Sequence, residues 1–427
     1  MRPSMFVLYN FIQLAGLLIL FPILTVFVAC SSKYRDRIPA RLSLGLGKKL
    51  ATKNQSGRTI WLHALSVGEV TSAVPLVRAL RKRYPTWKIV VSTTTRSGKK
   101  VADMLLAPFA DTIIDGPLDL LPTVTRFINC IRPDLFILVE TDFWPNILHC
   151  LRTKNIPAIL VNGRISKKSM TRYQRLDFFF LPMFQAFAFL AMQTRQDMEK
   201  MKFLGIAAEK LPILGNLKFA TRLHDTEAFS NLQANLLPKN RILFIAGSTH
   251  PGEEYILLDC YKRLRSNFPD LFLIVAPRDP ARAKEIVDLA IGQGLSISLR
   301  STAVFTSADI FILDSIGELN AFYALADLAF VGGSLVEKGG HNPVEPAAMA
   351  KPVFFGPHME DFSEIADTLI AEGGAIRVND KEDLLQTLTE LLENSERSRQ
   401  MGIAAKKCVL RHQDIIANHL QLIEKVL

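Results

Sequence analysis

LAFVGGSLVEKGGHNPVEPAAMA, residues 328–350, is the stretch that decides the fold. Leu328 to Val331 is an apolar run of strand length that enters a glycine-rich loop. A helix follows, with Pro343 near its first turn, where the missing N–H is no loss. Gly339 and Gly340 permit positive φ and a close approach of backbone to ligand. Free N–H groups around His341 and Asn342 then point at whatever sits there, and the helix dipole favours an anion. Glu345 stands within reach of ribose hydroxyls. Strand, glycine loop, helix and carboxylate describe a nucleotide-phosphate cradle. Taken without its surroundings, the same stretch also fits an ordinary strand-to-helix turn with a capping glycine.

Working outward, the same alternation recurs. Upstream come strands Ile242 to Ala246, Leu271 to Ala276 and Ile310 to Leu313, with helices after Pro251, Pro280 and Glu318; Pro352 to Phe355 follows the cradle. The first half repeats the scheme: strands Thr59 to Leu65, Lys88 to Val91, Leu135 to Val139 and Ala158 to Val161, with intervening helices. Pro75 falls inside the first of these helices and should bend it. Asp177 to Met192, rich in phenylalanine, reads as a buried helix and strand or as a lipid-contacting surface. Between the halves, a polar stretch runs from about Leu214 to Asn240. No sequence repeat appears. The fold class is α/β, with two doubly wound Rossmann-like domains. Ligands in such sheets bind at the carboxyl ends of strands, so a cleft between the halves is the expected site.

The other end of the chain sets the surroundings. Residues 5–29 are almost wholly apolar, long enough for a membrane anchor helix, with Pro22 a candidate kink. Lys33, Arg35, Arg37, Arg41, Lys48 and Lys49 follow, which places the rest of the chain on the cytoplasmic side. A helix lying in the interface is the structural alternative. The domains then divide as 34–214, 220–408 and a terminal helix over 409–427. The formal charge of +10, from 51 Lys+Arg against 41 Asp+Glu, suits an anionic partner such as a membrane surface or a phosphorylated lipid. With seven Tyr, three Trp and no compact basic-aromatic motif, nucleic acid is not the expected partner. Five widely spaced cysteines, none in a CxxC, suggest neither zinc nor a disulfide framework.

The loops after the strands are rich in polar residues, among them Glu69, Glu140, Arg164, Ser248, Arg278 and His341 to Glu345, and together they suggest a two-domain nucleotide-sugar glycosyltransferase. Seven ordered segments, WLHALSVGEV (61–70), VETDFWPN (139–146), LGNLKF (214–219), GSTHPGEE (247–254), APR (276–278), DSIGEL (314–319) and GGHNPVEP (339–346), resemble the 3-deoxy-D-manno-octulosonate (Kdo) transferases of Gram-negative bacteria. Members of that family move Kdo from CMP-Kdo to a lipid A precursor. The resemblance covers nearly the whole chain and implies a GT-B architecture at the bacterial inner membrane. The pair Asp314-Ser315 departs mildly from the family's Asp-Thr.

On this resemblance Glu69 is the general base, taking the acceptor's hydroxyl proton. Locally, Ser66-x-x-Glu69 is equally a capping box that ties down a helix N-terminus. Glu140 is implied as a second essential carboxylate, or else a strand-end residue bonded to the following helix. The donor site is implied at Pro277 and Arg278 for the cytidine end, with Gly317, Glu318 and Leu319 beside them. Asn342 and Glu345 are implied for phosphate and ribose, with Ser248, Gly340 and His341 as neighbours. Arg58, Arg96 and Arg164, with Lys167, Lys168 and Arg172, are candidates for the acceptor's phosphates or are solvated surface charges. The chain has no Asp-X-Asp, and CMP carries one phosphate, so neither a metal nor a cofactor is expected. The implied chemistry is inverting. A UDP-sugar transferase or epimerase of the same fold, and a tethered binding protein without turnover, are the competing expectations.

Overall fold

The computed structural model describes residues 3–30, 35, 37–50, 57–140, 143–220, 237–238, 240–302, 308–412 and 414–427; the side chains of 3, 4, 22–30 and 167 lie outside that description. The candidate kink at Pro22, the flanking Lys33, the candidate Lys167, two residues of the segment 139–146 and most of the polar stretch before Asn240 therefore lie outside it. The chain forms two compact units, residues 1–220 with 414–427, and residues 221–413.

In the first unit β1 (Thr59–Ala64), β2 (Lys88–Thr93), β3 (Thr112–Asp115), β4 (Leu135–Val139), β5 (Ala158–Gly163) and β6 (Phe189–Met192) form one sheet. Its order is β3-β2-β1-β4-β5-β6 and the recorded pairs are all parallel. The runs are apolar on both faces because helices cover both. Trp61 registers with Val90 on one side and Phe136 on the other, and its indole packs edge-on to Phe136. Strand order reverses between β1 and β4, since the chain leaves β1 towards β2 and β3 before returning to the opposite side. The helix Val67–Arg83 runs through Pro75, and the last helix, Ile415–Glu424, packs against it. In the phenylalanine-rich segment Phe184 and Phe187 are buried while Phe178 is 59% exposed, so that segment serves chiefly as core.

The second unit contains β7 (Ile242–Thr249), β8 (Leu271–Pro277), β9 (Ile297–Leu299), β10 (Ile310–Ile312), β11 (Leu328–Val331), β12 (Val353–Phe355) and β13 (Ala375–Arg377), ordered β13-β12-β11-β7-β8-β10-β9 with parallel pairs. Two apolar clusters sandwich it: Phe244, Leu273 and Phe330 lie in one, Ile245, Phe272 and Ala329 in the other. That alternation is the period of two along each strand. Here the order reverses between β7 and β11.

The N-terminal apolar run is a helix, Pro3–Cys30. Among the described residues, however, no helix is long and apolar enough to cross a membrane, so the spanning anchor expected over residues 5–29, part of which lies outside them, is not supported. Its early turns are held on the first unit. Tyr9, Asn10 and Gln13 share one face and are spent on the first unit: the Tyr9 hydroxyl donates to Asp119 at 2.9 Å, Asn10 Nδ2 to Asn146 Oδ1 at 2.9 Å, and Gln13 Nε2 to the Asp119 carbonyl at 3.1 Å. The opposite face exposes Val7, Leu8, Phe11, Ile12, Leu18 and Ile19.

Candidate active site

Carboxylates and basic groups collect where the order of each sheet reverses. That is where the loops of neighbouring strands part and leave room for a ligand. In the first unit the loop after β1 carries Ser66, the N-cap of the helix that follows, and Glu69, 7% exposed. The Ser66 hydroxyl accepts from the Glu69 N–H, and the Glu69 carboxylate accepts from the Leu65 N–H. The first bond is the capping half of a capping box; the second reaches one residue past the N-cap, to Leu65, so Glu69 ties the incoming chain to the helix start. A carboxylate offers about four acceptor positions, so this contact orients Glu69 without exhausting it. The loop after β2 lies beside it, since the Thr95 N–H donates to the Leu65 carbonyl at 3.0 Å.

Glu140 stands at the end of β4, on the other side of the reversal, with φ 63°. Few side chains other than Asn, Asp and Gly adopt that region, and its occupation by glutamate is a mark of functional sites. Asn162, the next-to-last residue of β5, donates from Nδ2 to Glu140 Oε1 at 3.3 Å.

In the second unit the loops after β7 and β11 are tied together by Glu253, which is fully buried. Its Oε2 accepts from the amides of His250 (2.9 Å) and Gly333 (2.8 Å), and its Oε1 from Ser334 (2.9 Å) and Leu335 (3.0 Å). His250 and His341 face each other across the same loops. The cradle read from residues 328–350 is corrected in two respects. The His341 N–H is donated to the Gly332 carbonyl, and the helix, Val344–Ala348, spans five residues with Pro343 as its N-cap. Amides and dipole therefore contribute less there than the sequence suggested, and side chains contribute more. Asn342 accepts from the Val344 N–H at 3.1 Å and donates to Glu345 Oε1 at 3.3 Å. Burial raises the Glu345 pKa, opposed by Asn342 and Arg278. Gly340, at φ 72°, passes so close to Met359 that a Cβ would collide with it.

Two models of known families divide the chain between them. The one described as 3-Deoxy-D-manno-octulosonic-acid transferase (kdotransferase) matches residues 36–221, and Glycosyl transferases group 1 matches residues 236–408. The 3-deoxy-D-manno-octulosonic acid transferase of Haemophilus influenzae is 34% identical over 431 residues, 98% of this chain and 99% of that protein. The chain belongs to the Kdo transferase family. Among solved structures, UDP-GlcNAc 2-epimerase from Neisseria meningitidis aligns over 86% of this chain and all of its own, with TM-score 0.58 and 13% identity. MurG from Acinetobacter baumannii aligns over 86% and 99%, with TM-score 0.55 and 13% identity. These two likenesses concern the fold alone, which is GT-B-like.

The remaining residues implied by the sequence of this Kdo transferase are distributed as follows. Pro277 ends β8 and is buried; Arg278 follows it, exposed, its N–H donating to the Thr249 carbonyl at 3.0 Å. Ser248 sits at φ 57° where the β7–β8 register shifts. Gly317 is exposed at φ 91°. Glu318 is gripped by Arg300, whose Nη2 donates to Oε1 at 3.0 Å and Nε to Oε2 at 3.1 Å, and Ser315 donates to the same carboxylate. Leu319 packs on the apolar cluster beside β7.

Arg96 opens the helix after β2, and Arg164 follows β5, both exposed at the same sheet edge as the two glutamates. Lys168 and Arg172 are exposed on the next helix, with the Arg172 guanidinium 5.4 Å from the Tyr173 ring centre. Arg58 is not gathered with them. It precedes β1 at the opposite edge of the parallel sheet, donates to the Leu427 carbonyl at 2.8 Å and lies over the Trp87 ring.

Three residues at these edges carried no role in the sequence. Glu253 lies within a quoted segment and Asn162 directly after the strand run Ala158 to Val161, but nothing in a linear pattern shows their partners. His63 was hidden inside an apolar strand. It is buried, its Nδ1 lies 2.7 Å from Ser92 Oγ, and burial followed by Arg41 pushes its pKa down to about 4.

Proposed function

We propose that this Kdo transferase moves Kdo from CMP-Kdo to a hydroxyl of a lipid A precursor, lipid IVA, by an inverting displacement that requires no metal. The observation that carries the reading is the placement of Glu69 and Glu140 directly after β1 and β4, the two strands that flank the reversal of the first sheet.

In the reaction the acceptor oxygen attacks the anomeric carbon of Kdo from the face opposite CMP. Glu69 takes the hydroxyl proton as the new C–O bond forms, a contribution of about 10²–10⁴-fold. The bond from the anomeric carbon to the phosphate oxygen breaks and its electron pair leaves on CMP. Asn342 meets that phosphate with His341 beside it, Glu345 the ribose, and Pro277 and Arg278 with the 317–319 turn the cytidine end. Leu65 holds Glu69 in orientation through its N–H. Arg96 and Arg164, at the same edge as the carboxylates, receive the acceptor's phosphates, where guanidinium groups match the geometry of the anion.

The enzyme works at the cytoplasmic face of the inner membrane. The helix Pro3–Cys30 is the contact, lying against the surface with its exposed apolar side chains in lipid.

The test is incubation of the full chain with CMP-Kdo and tetraacylated lipid A precursor in detergent with excess EDTA, followed by product mass. A gain of one or more Kdo units is expected. No gain from folded protein with intact donor overturns the donor–acceptor reading and turns attention to UDP-sugars. Gain that disappears only with EDTA overturns the metal-independent mechanism.

A further inference from the structure

Asn162 is the next-to-last residue of β5, fully buried and at φ 58°, beside Glu140, which directly follows the neighbouring β4 at φ 63°. Two adjacent strand ends therefore carry side chains turned by left-handed backbone, one an asparagine, which tolerates it, the other a glutamate, which rarely does. The Asn162 amide is fully specified. The Leu217 N–H can only donate, so the atom facing it at 2.9 Å is Oδ1, and Nδ2 is the atom that faces Glu140 Oε1 at 3.3 Å. The Asn162 carbonyl accepts from Gln193 Nε2 at 3.0 Å. Gln193 in turn accepts from Asn216 Nδ2 at 3.1 Å, and Asn216 Oδ1 caps the Lys218 N–H at 2.9 Å. The segment LGNLKF (214–219) thus braces Asn162 from behind.

We infer that Asn162 is the positioning residue for Glu140, its side-chain amide fixing the carboxylate through a bond whose other end is anchored on the Leu217 N–H. It acts through Glu140 rather than on substrate. The inference rests on the reading of Glu140 as a carboxylate of the reaction. A donor held on both sides keeps Glu140 in one rotamer, and misplacing a reacting group by about 1 Å costs on the order of 100-fold in rate. The competing role is purely structural, with Asn162 serving only to accept the Leu217 N–H.

Asn162→Asp and Asn162→Gly separate the two. Aspartate still accepts from Leu217 but offers Glu140 no donor. Glycine keeps the left-handed backbone and removes the side chain. Each full-length variant is assayed for kcat and for both KM values with CMP-Kdo and lipid acceptor, alongside Glu140→Ala and a thermal melt. The expected result is a fall in kcat of about 10-fold or more for both variants, with both KM values within about threefold of the unaltered enzyme. Asn162→Asp near unaltered activity with Asn162→Gly impaired overturns the inference in favour of the structural role, as does Asn162→Gly with unaltered kcat. Should Asn162→Asp fail to fold, the kcat and KM of Asn162→Gly decide alone: a kcat held at the unaltered value, or a loss residing in KM, overturns the inference. Full activity of Glu140→Ala sinks the reading of Glu140 itself, a different outcome from any of these.

Discussion

His250 and His341 present their Nε2 atoms to each other at 2.9 Å, with ring planes 5° from parallel. At that separation one ring carries the proton and the other accepts it. Burial, with Arg278 and His250 adding to it, pushes the His341 pKa down to about 4. Burial lowers His250 as well, with Lys338, Arg278 and Arg282 acting the same way and Glu254 opposing. The pair is therefore neutral at pH 7, and it joins the loops after β7 and β11 without repulsion.

The pH dependence of stability follows from that shift. His341 titrates at an ordinary value near 6.5 when unfolded and at about 4 when folded, so the unfolded chain binds more protons between those values. Stability is fully present above about pH 6.5 and is lost as pH falls towards 4. Denaturant melts at pH 7, 5.5 and 4.5 should show this decline, and His341→Gln should make it shallower. His63 and His419, also held near 4, keep part of the slope in the variant. Identical slopes would remove His341 from the account.

The proposed reaction gives Glu69 a second role beside its structural one, and one substitution can separate the two. Glutamine at that position still accepts from the Leu65 N–H through its amide oxygen, but it cannot take a proton. Glu69→Gln should melt within about 0.5 kcal/mol of the unaltered chain while kcat falls about 10²–10⁴-fold. Glu69→Ala should add a loss of about 1 kcal/mol from the missing cap. Normal turnover by Glu69→Gln would reduce Glu69 to a helix cap.

The long central strands were legible in the sequence because β1, β4, β7 and β8 are five to eight apolar residues between turn signals. β3, β9 and β13 were not, and each is an edge strand of three or four residues, too short to establish a period. The family segments identified the loops that carry Glu69, Glu140 and His341. They did not reveal that Arg58 lies at the wrong sheet edge, because a residue just before β1 and one just after it are near in sequence and a strand's length apart in space. Nor did they show that Glu253 occupies amides that a glycine-rich loop seemed to leave for phosphate. That requires a contact between residues 80 apart.

Glu253 should therefore behave as a builder of the donor site. Its two oxygens accept four amides and donate nothing. In Glu253→Gln one of those oxygens becomes an NH₂ group facing donors. The cost of leaving buried amides unpaired is about 1–3 kcal/mol. The expected outcome is lower stability by that amount, weaker CMP binding by calorimetry, and an acceptor KM that stays put. Unchanged CMP affinity would show that the loops hold their shape without it.

Asp119 is the fixed point of the N-terminal helix. Its carboxylate accepts from the Tyr9 hydroxyl and from the amides of Asn146 and Ile147, so one side chain both caps the helix after β4 and holds the apolar run against the unit that carries Glu140. The outward face, with Phe11 and Ile19 exposed by 66% and 76%, then has a set direction relative to the edge of that unit that carries Glu69 and Glu140. Each large apolar side chain moved from water into lipid contributes about 2 kcal/mol. Phe11→Asp with Ile19→Asp should consequently reduce binding to phospholipid vesicles by well over tenfold in a sedimentation assay, while leaving turnover of detergent-dispersed acceptor intact. Tyr9→Phe loosens the same helix without changing its apolar face. Vesicle binding should survive in that variant, and turnover of vesicle-embedded acceptor should fall relative to dispersed acceptor. Equal loss on both forms of acceptor would mean that Tyr9 supports the site itself and not its alignment with the membrane.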